Sequence, residues 1–238
     1  LTLARRIQQS LLPPEQLDAD WFRLQAACKP AYHVGGDFFD YQDLPGKGVA
    51  LTIGDVSGKG ISASILMSYL LAGLRSLIRT GIEPAEVLET VNRILLDSTN
   101  PDQFSTIFFG LFESESRSLI YINAGHPPPI LLRAGGTIEK LSKGGMLLGA
   151  FPDPGYGTSS VHLDPGDLLV FYTDGVLDAR NPHGDTFSSR RLVKDIRRSR
   201  GLGAEKACAH ILETIGLFQS DEPQFDDLTL MVAGIGTK

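Results

Sequence analysis

Two helical patterns stand back to back in this chain, with strand-like sequence on either side. Residues 61–80 are apolar nearly all round, and Pro84–Ser98 starts with proline in its first turn and carries Val87, Leu88, Val91, Ile94 and Leu95 on one face. Before this pair, residues 22–26 alternate and residues 48–53 form a short apolar run ending at Gly54-Asp55. After it come strand-like runs at 104–112, 119–122, Ile130–Leu132 and 168–173, helical patterns at 189–199 and 204–218, and a last strand at 228–233. Helices that come in pairs do not alternate with strands, which disfavours a doubly wound parallel sheet. Runs such as Phe104-Ser105-Thr106-Ile107-Phe108-Phe109 are apolar on both faces, as in strands covered on each side. The order predicts an α+β fold: antiparallel sheets packed together with helix pairs outside, in one domain.

Composition narrows the function classes. At 238 residues and 42% hydrophobic the chain can bury a substantial core. Its 22 Lys+Arg against 28 Asp+Glu leave a charge of −6, without the basic face that binding nucleic acid needs. Cys28 and Cys208 are far apart and outside any CxxC pair, so neither a cysteine metal site nor a disulfide framework is expected, and a reducing, cytoplasmic setting is. The apolar stretch 61–78 is interrupted by Ser62, Ser64, Ser68, Arg75 and Ser76 and reads as a buried helix, not a bilayer span, so no membrane contact is expected. No secretory signal opens the chain, and Leu1 in place of Met reads as a cut from something longer. Leu3, Ile7 and Leu11 recur at helical spacing among Arg5, Arg6, Gln8 and Gln9 until Pro13-Pro14. That helix either packs on its own domain or is the tail of a signalling or dimerising helix from an upstream domain. Residues 1–14 are accordingly read as an amino-terminal linker or regulatory helix, and 15–238 as the working domain.

The aspartates carry the chemistry. Asp37 follows Gly35-Gly36, Asp55 ends an apolar strand before Val56-Ser57-Gly58-Lys59-Gly60, Asp174 ends another before Gly175, and Asp226-Asp227 precede the last strand. Carboxylates converging at strand ends repel unless a cation neutralises them, and hard ions such as Mg²⁺ or Mn²⁺ take oxygen ligands from separate strands. Turn chemistry alone also places Asp beside Gly, so each one singly has an ordinary explanation. Residues 54–60 fail as a phosphate loop, with three residues between the glycines and no Ser or Thr after Lys59. Gly35-Gly36-Asp37-Phe38-Phe39 departs from the signature turn of cyclic-dinucleotide cyclases at Phe38. His126, between Gly125 and three prolines, either fixes a tight loop or acts as an acid. Gly144-Gly145 and Gly149, with Pro152 and Pro154, read as a flexible surface segment or a cover for a substrate groove.

Taken in order, Leu11-Leu12-Pro13, Gly35-Gly36-Asp37-Phe38-Phe39-Asp40, Gly54-Asp55-Val56-Ser57-Gly58-Lys59-Gly60, Asn123-Ala124-Gly125-His126-Pro127-Pro128, Tyr172-Thr173-Asp174-Gly175 and Phe225-Asp226-Asp227-Leu228-Thr229 span essentially the whole chain. The set closely resembles the SpoIIE/RsbU-like branch of the PPM family, bacterial metal-dependent serine/threonine phosphatases related to protein phosphatase 2C. The resemblance implies an αββα sandwich with two Mn²⁺ or Mg²⁺ ions, in which Asp55 bridges the ions and the Val56 carbonyl helps to hold one. Asp174 and Asp226 would hold the other, with Asp227 as the alternative one residue on. Asp37 would orient a water or coordinate directly. Gly175 would let the chain turn tightly beside the metal. Lys59, where many members have His, would contact substrate phosphate or lie solvated.

The function so implied is hydrolysis of phosphoserine or phosphothreonine on a partner protein, an anti-anti-sigma regulator of STAS type, by water activated between two metals. The domain would be the output of a cytoplasmic signalling protein, with an upstream sensor in the same chain and a homodimer through the amino-terminal helix. The alternative is a catalytically weak pseudo-phosphatase acting as a regulatory binding module.

Overall fold

A computed structural model describes residues 1–100 and 102–236. In chain order the elements are α1 (Thr2–Leu11), β1 (Gln16–Asp18), β2 (Phe22–Lys29), β3 (Phe38–Leu44), β4 (Gly48–Val56), α2 (Ile61–Ile78), α3 (Pro84–Ser98), β5 (Ser105–Glu113), β6 (Ser118–Ala124), β7 (Ile130–Leu132), β8 (Ile138–Lys140), β9 (Gly144–Gly145), β10 (Ser159–His162), β11 (Leu168–Tyr172), α4 (Asp174–Asp178), α5 (Ser188–Arg198), α6 (Ala204–Gln219) and β12 (Leu228–Ile235). They form two compact units, one of Leu1–Pro13, Tyr32–His126 and Ser142–His162, the other of Pro14–Ala31, Pro127–Leu141 and the chain from Leu163 onward. Among the described residues, two sheets, antiparallel in all but one strand pairing, with six helices make this an α+β fold, as the order of elements predicts.

In the first unit the strands run β10-β6-β5-β4-β3, with β9 parallel on β6. Helices α2 and α3 cover this sheet because their apolar residues recur three and four apart: Met67, Leu70 and Leu74 from α2 and Val87, Leu88 and Val91 from α3 join Ile107, Phe109 and Ile122 in one core. Although α2 is long and apolar enough to cross a membrane by composition alone, Ala63, Leu66, Met67, Leu70, Leu71, Leu74 and Ile78 are all buried in the protein. The expectation that this helix is buried all round fails on one stripe, since Ile61, Ile65 and Tyr69, four residues apart, are exposed. Helix α1 reverses the face its pattern predicts. Leu3 and Ile7 are exposed while Gln8 is buried, and only Leu11 and Leu12 pack on the core.

The segment that reads as flexible is packed instead. Gly144 pairs with Asn123 and Gly145 with Ala124 as β9. A Cβ at Gly144 would lie 2.0 Å from the Asn123 carbonyl oxygen, and one at Gly145 would lie 2.6 Å from the Pro154 oxygen. These glycines are there for close approach of backbone to backbone, which a turn-and-loop reading of Gly-rich sequence misses.

In the second unit the order is β1-β2-β12-β11-β7-β8, every pair antiparallel. Leu192 and Ile196 of α5 and Ala204, Ala207, Cys208, Ile211 and Ile215 of α6 pack with Ile130, Leu132, Leu168, Val170, Leu230 and Val232. Small residues at the start of α6 bring it close, the backbone nitrogen of Ala204 lying 3.0 Å from where a Cβ on Gly234 would be.

Candidate functional site

Two of the predicted aspartates come from neighbouring strands of the first unit. Phe38 pairs with Gly54 across β3 and β4, so Asp37, just before that pair, and Asp55, just after it, occupy facing positions at the same end of the two strands. Packing explains why the Phe38–Gly54 pair is built as it is: Phe38 is fully buried and its ring would sit 2.7 Å from a Cβ on Gly54. Asp37 is buried at 3% exposure, and Asp55 is half-buried. The Asp55 carbonyl accepts from the Ser105 hydroxyl at 2.8 Å. Gly36 lies against the Val56 carbonyl so closely that a Cβ there would be 2.6 Å from its oxygen. The sequence 35–37 is thus laid directly over the end of β4.

The second unit brings Asp174 and Asp226 together. Asp174 starts α4 at the end of β11, Asp226 lies just ahead of β12, and those strands are paired with Tyr172 facing Leu230. Loss of hydration, reinforced by the charges of Asp226 and Asp178, raises the Asp174 carboxyl above the usual carboxylate range, with the Gly175 amide opposing. The two neighbours in sequence do different things. Asp227 is buried and accepts a hydrogen bond from the Ala31 amide at 2.8 Å, whereas Asp226 accepts at 3.0 Å from the Asp227 amide and is the carboxylate whose charge Asp174 feels. Gly175 serves close packing rather than a turn, because a Cβ there would fall 1.8 Å from the Asp227 carbonyl oxygen.

Lys59 is exposed on the loop between β4 and α2, flanked by Gly58 and Gly60 at φ +94° and +69°. His126 is buried at 4% exposure. Its Nδ1 lies 2.9 Å from the Thr106 hydroxyl, its amide donates to the Asn123 side chain at 2.8 Å, and Asn123 Nδ2 donates back to its carbonyl at 3.0 Å. The imidazole therefore fixes the loop after β6, and through Thr106, which pairs with Asp55, it braces the strand next to that carboxylate.

Sequence reasoning missed Gln8. Its side-chain amide donates to the Gly35 carbonyl at 2.6 Å and accepts from the Gly35 amide at 3.1 Å, two residues before Asp37. The available signal was a long amide beside Leu11 and Leu12 on a helix whose other apolar residues have no core to meet.

Among the described residues no three His, Cys, Asp or Glu side chains form a ready-made cage. The donors come as pairs: Asp37 with Asp55, and Asp174 with Asp226. All are hard carboxylate oxygens, and loss of hydration, reinforced by the charges of Asp226 and Asp178, already raises the Asp174 carboxyl. That chemistry fits Mg²⁺ or Mn²⁺, which take a few carboxylates and keep several waters, better than a soft ion in an all-protein cage.

Comparison with known proteins identifies the family and the fold. The family model for Stage II sporulation protein E (SpoIIE) matches residues 45–236. Protein IcfG of Synechocystis sp. is 30% identical over 258 residues, covering 97% of this chain and 40% of that protein. Phosphoserine phosphatase RsbU of Bacillus subtilis is 30% identical over 234 residues, covering 98% of this chain and 69% of RsbU. The SiaA-PP2C domain of Pseudomonas aeruginosa shares the fold at a TM-score of 0.85 and 21% identity, covering 100% of this chain and 95% of that one. The catalytic domain of the serine/threonine protein phosphatase PstP, in complex with 2 manganese ions, shares it at a TM-score of 0.64 and 14% identity, covering 91% of this chain and 99% of that one. Matched over most of its length, the chain belongs to the SpoIIE family and has the PP2C-type phosphatase fold.

Proposed function

We propose that the domain hydrolyses phosphoserine or phosphothreonine on a partner protein with the help of two Mn²⁺ or Mg²⁺ ions. The observation that carries this reading is the placing of Asp174 near Asp226 at the head of paired strands, where loss of hydration and the Asp226 charge raise the Asp174 carboxyl. Asp55, with the Val56 carbonyl, and Asp174 with Asp226 would hold the ions, the role that PstP's two manganese ions support by analogy. Bound there, the ions would acidify water and neutralise charge on the phosphoryl oxygens as the bond to serine breaks. Asp37, backed by the Gln8 contact to Gly35, would accept a hydrogen bond from the attacking water and fix its line of approach. His126 is assigned no proton transfer, since its Nδ1 faces Thr106 and its main chain is tied to Asn123.

The name of RsbU, a phosphoserine phosphatase, favours a phosphoprotein substrate, and we take it to be an anti-anti-sigma regulator of STAS type. Leu3 and Ile7 face outward from α1, which fits a helix that continues from an upstream sensor domain and pairs with a second copy. A cytoplasmic setting accords with two cysteines that form no disulfide. The test is hydrolysis of a phosphoserine protein and of p-nitrophenyl phosphate with Mn²⁺, comparing the parent with Asp55→Ala and Asp174→Ala. Activity in the parent that both substitutions abolish is expected. No metal-dependent hydrolysis, or undiminished rates in both variants, would overturn the reading.

A further inference from the structure

We propose that Arg180 grips the phosphoryl group of the substrate. The inference rests on the phosphatase reading above and gives that site a residue for substrate recognition. Arg180 follows α4, the short helix that Asp174 begins, and its guanidinium lies 3.6 Å over the centroid of the Phe225 ring. Phe225 immediately precedes Asp226. One exposed arginine is therefore stacked on the segment that carries one candidate metal ligand and is linked through a single short helix to another.

Among the described residues Arg180 makes no ion pair, whereas Arg23, Arg75, Arg133 and Arg198 each meet a carboxylate. Nor do its guanidinium nitrogens donate a hydrogen bond within the described protein, its other contact being the backbone bridge to Thr186. Stacking on an aromatic face fixes the plane of a guanidinium while leaving its edge donors free. That edge matches a phosphoryl group, whose oxygens accept two parallel N–H bonds. A phosphate dianion approaching Asp174 and Asp226 meets their negative charge, and a fixed, always-charged cation stacked on the residue before Asp226 offers it the opposite charge. Lys59 offers a charge without the fork or the stacking, on a loop bounded by glycines.

The experiment compares Mn²⁺-loaded parent, Arg180→Ala, Arg180→Lys and the surface control Arg190→Ala. Readouts are KM and kcat for a phosphoserine peptide and for p-nitrophenyl phosphate, calorimetric binding of inorganic phosphate, and calorimetric uptake of Mn²⁺ alone. Loss of the fork raises KM for both substrates and weakens phosphate binding about 10- to 100-fold, with Mn²⁺ uptake unchanged. Arg180→Lys falls between the parent and Arg180→Ala, and Arg190→Ala matches the parent. Reduced Mn²⁺ uptake with an unchanged KM would make Arg180 a support for the Asp226 segment and overturn the proposal. So would a KM change for the peptide alone, or no change at all. A parent that takes up Mn²⁺ but hydrolyses neither substrate would defeat the phosphatase reading itself, and this proposal with it.

Discussion

The side-chain amide of Gln8 holds the backbone of Gly35 at two points, donating to its carbonyl at 2.6 Å and accepting from its amide at 3.1 Å. A second tie lies close by. Arg75 donates to both carboxylate oxygens of buried Asp40, at 2.9 and 2.7 Å, and to the Leu11 carbonyl at 2.7 Å. The segment from Gly35 to Asp40, with Asp37 inside it, is thereby linked at both ends to the last turn of α1. Replacing Gln8 with Ala strands two backbone groups and is expected to cost about 1–3 kcal/mol. Hydrolysis should fall more than global stability implies, by about 10-fold or more, because Asp37 is the residue set loose. Native-state hydrogen exchange of the peptide around Gly35 checks the cause, and exchange as slow as in the parent would refute it.

Much of this was legible in sequence, for reasons that also mark where legibility stopped. Periodic apolar residues placed α2, α3, α5 and α6 and the strands β2, β4, β5, β6, β11 and β12, since burial dictates spacing, whereas β3, with Asp40, Gln42 and Asp43 interrupting its apolar residues, went unread. The aspartates announced themselves because a carboxylate at the end of an apolar strand is unusual. Asp226 and Asp227 could not be told apart in sequence, because only the fold decides that Asp227 meets the Ala31 amide while Asp226 faces Asp174. The strands β1, β8 and β9 are two or three residues long and, unlike Ile130–Leu132 of β7, carry no apolar run to mark them. The face of α1 was misread because a side-chain amide bonded to backbone replaces the apolar contact that the pattern leads one to expect.

Gly175 makes a sharper test of the candidate centre than removing a ligand. Its missing Cβ would stand 1.8 Å from the Asp227 carbonyl oxygen, a backbone atom that cannot rotate away. Gly175→Ala should push α4 and the Asp226-Asp227 segment apart, costing about 1–3 kcal/mol. Calorimetric titration should then show weakened Mn²⁺ uptake although every carboxylate remains. Uptake equal to the parent would mean that Asp174 and Asp226 do not act on one ion.

Cys208 is expected to be chemically silent in the folded protein. Burial, with the charge of Glu15, pushes its thiol up to about 12, against a smaller opposing effect of Lys29. Iodoacetamide at pH 8 should leave it unmodified until denaturant is added. The sign of its linkage follows. An acid whose pKa is raised by folding contributes stability that is complete below its unfolded value and is lost as pH rises towards the folded one. The stability difference between the parent and Cys208→Ala in urea should therefore shrink from about pH 9 upward. A difference constant to pH 11 would contradict the burial.

Asp174 should give opposite answers with and without metal. Its carboxyl is raised by loss of hydration and by the charges of Asp226 and Asp178. The sign matches that of the thiol: the contribution to stability is complete below the unfolded pKa and declines as pH rises through the folded one, so at neutral pH the ionised group weighs against the metal-free fold. Asp174→Asn should stabilise the domain in EDTA, by roughly 0.5 kcal/mol once solvent screening is allowed for, or about 1–2 °C in melting temperature. With Mn²⁺ present the order reverses, because an ion bound only by the folded state raises the parent's stability and the variant has lost a ligand for it. Thermal melts at pH 7 in the two conditions decide the matter. A variant less stable than the parent in EDTA would mean that Asp174 supports the fold, whereas a crossing of the two curves is what a carboxylate placed for a cation, at the expense of stability, must show.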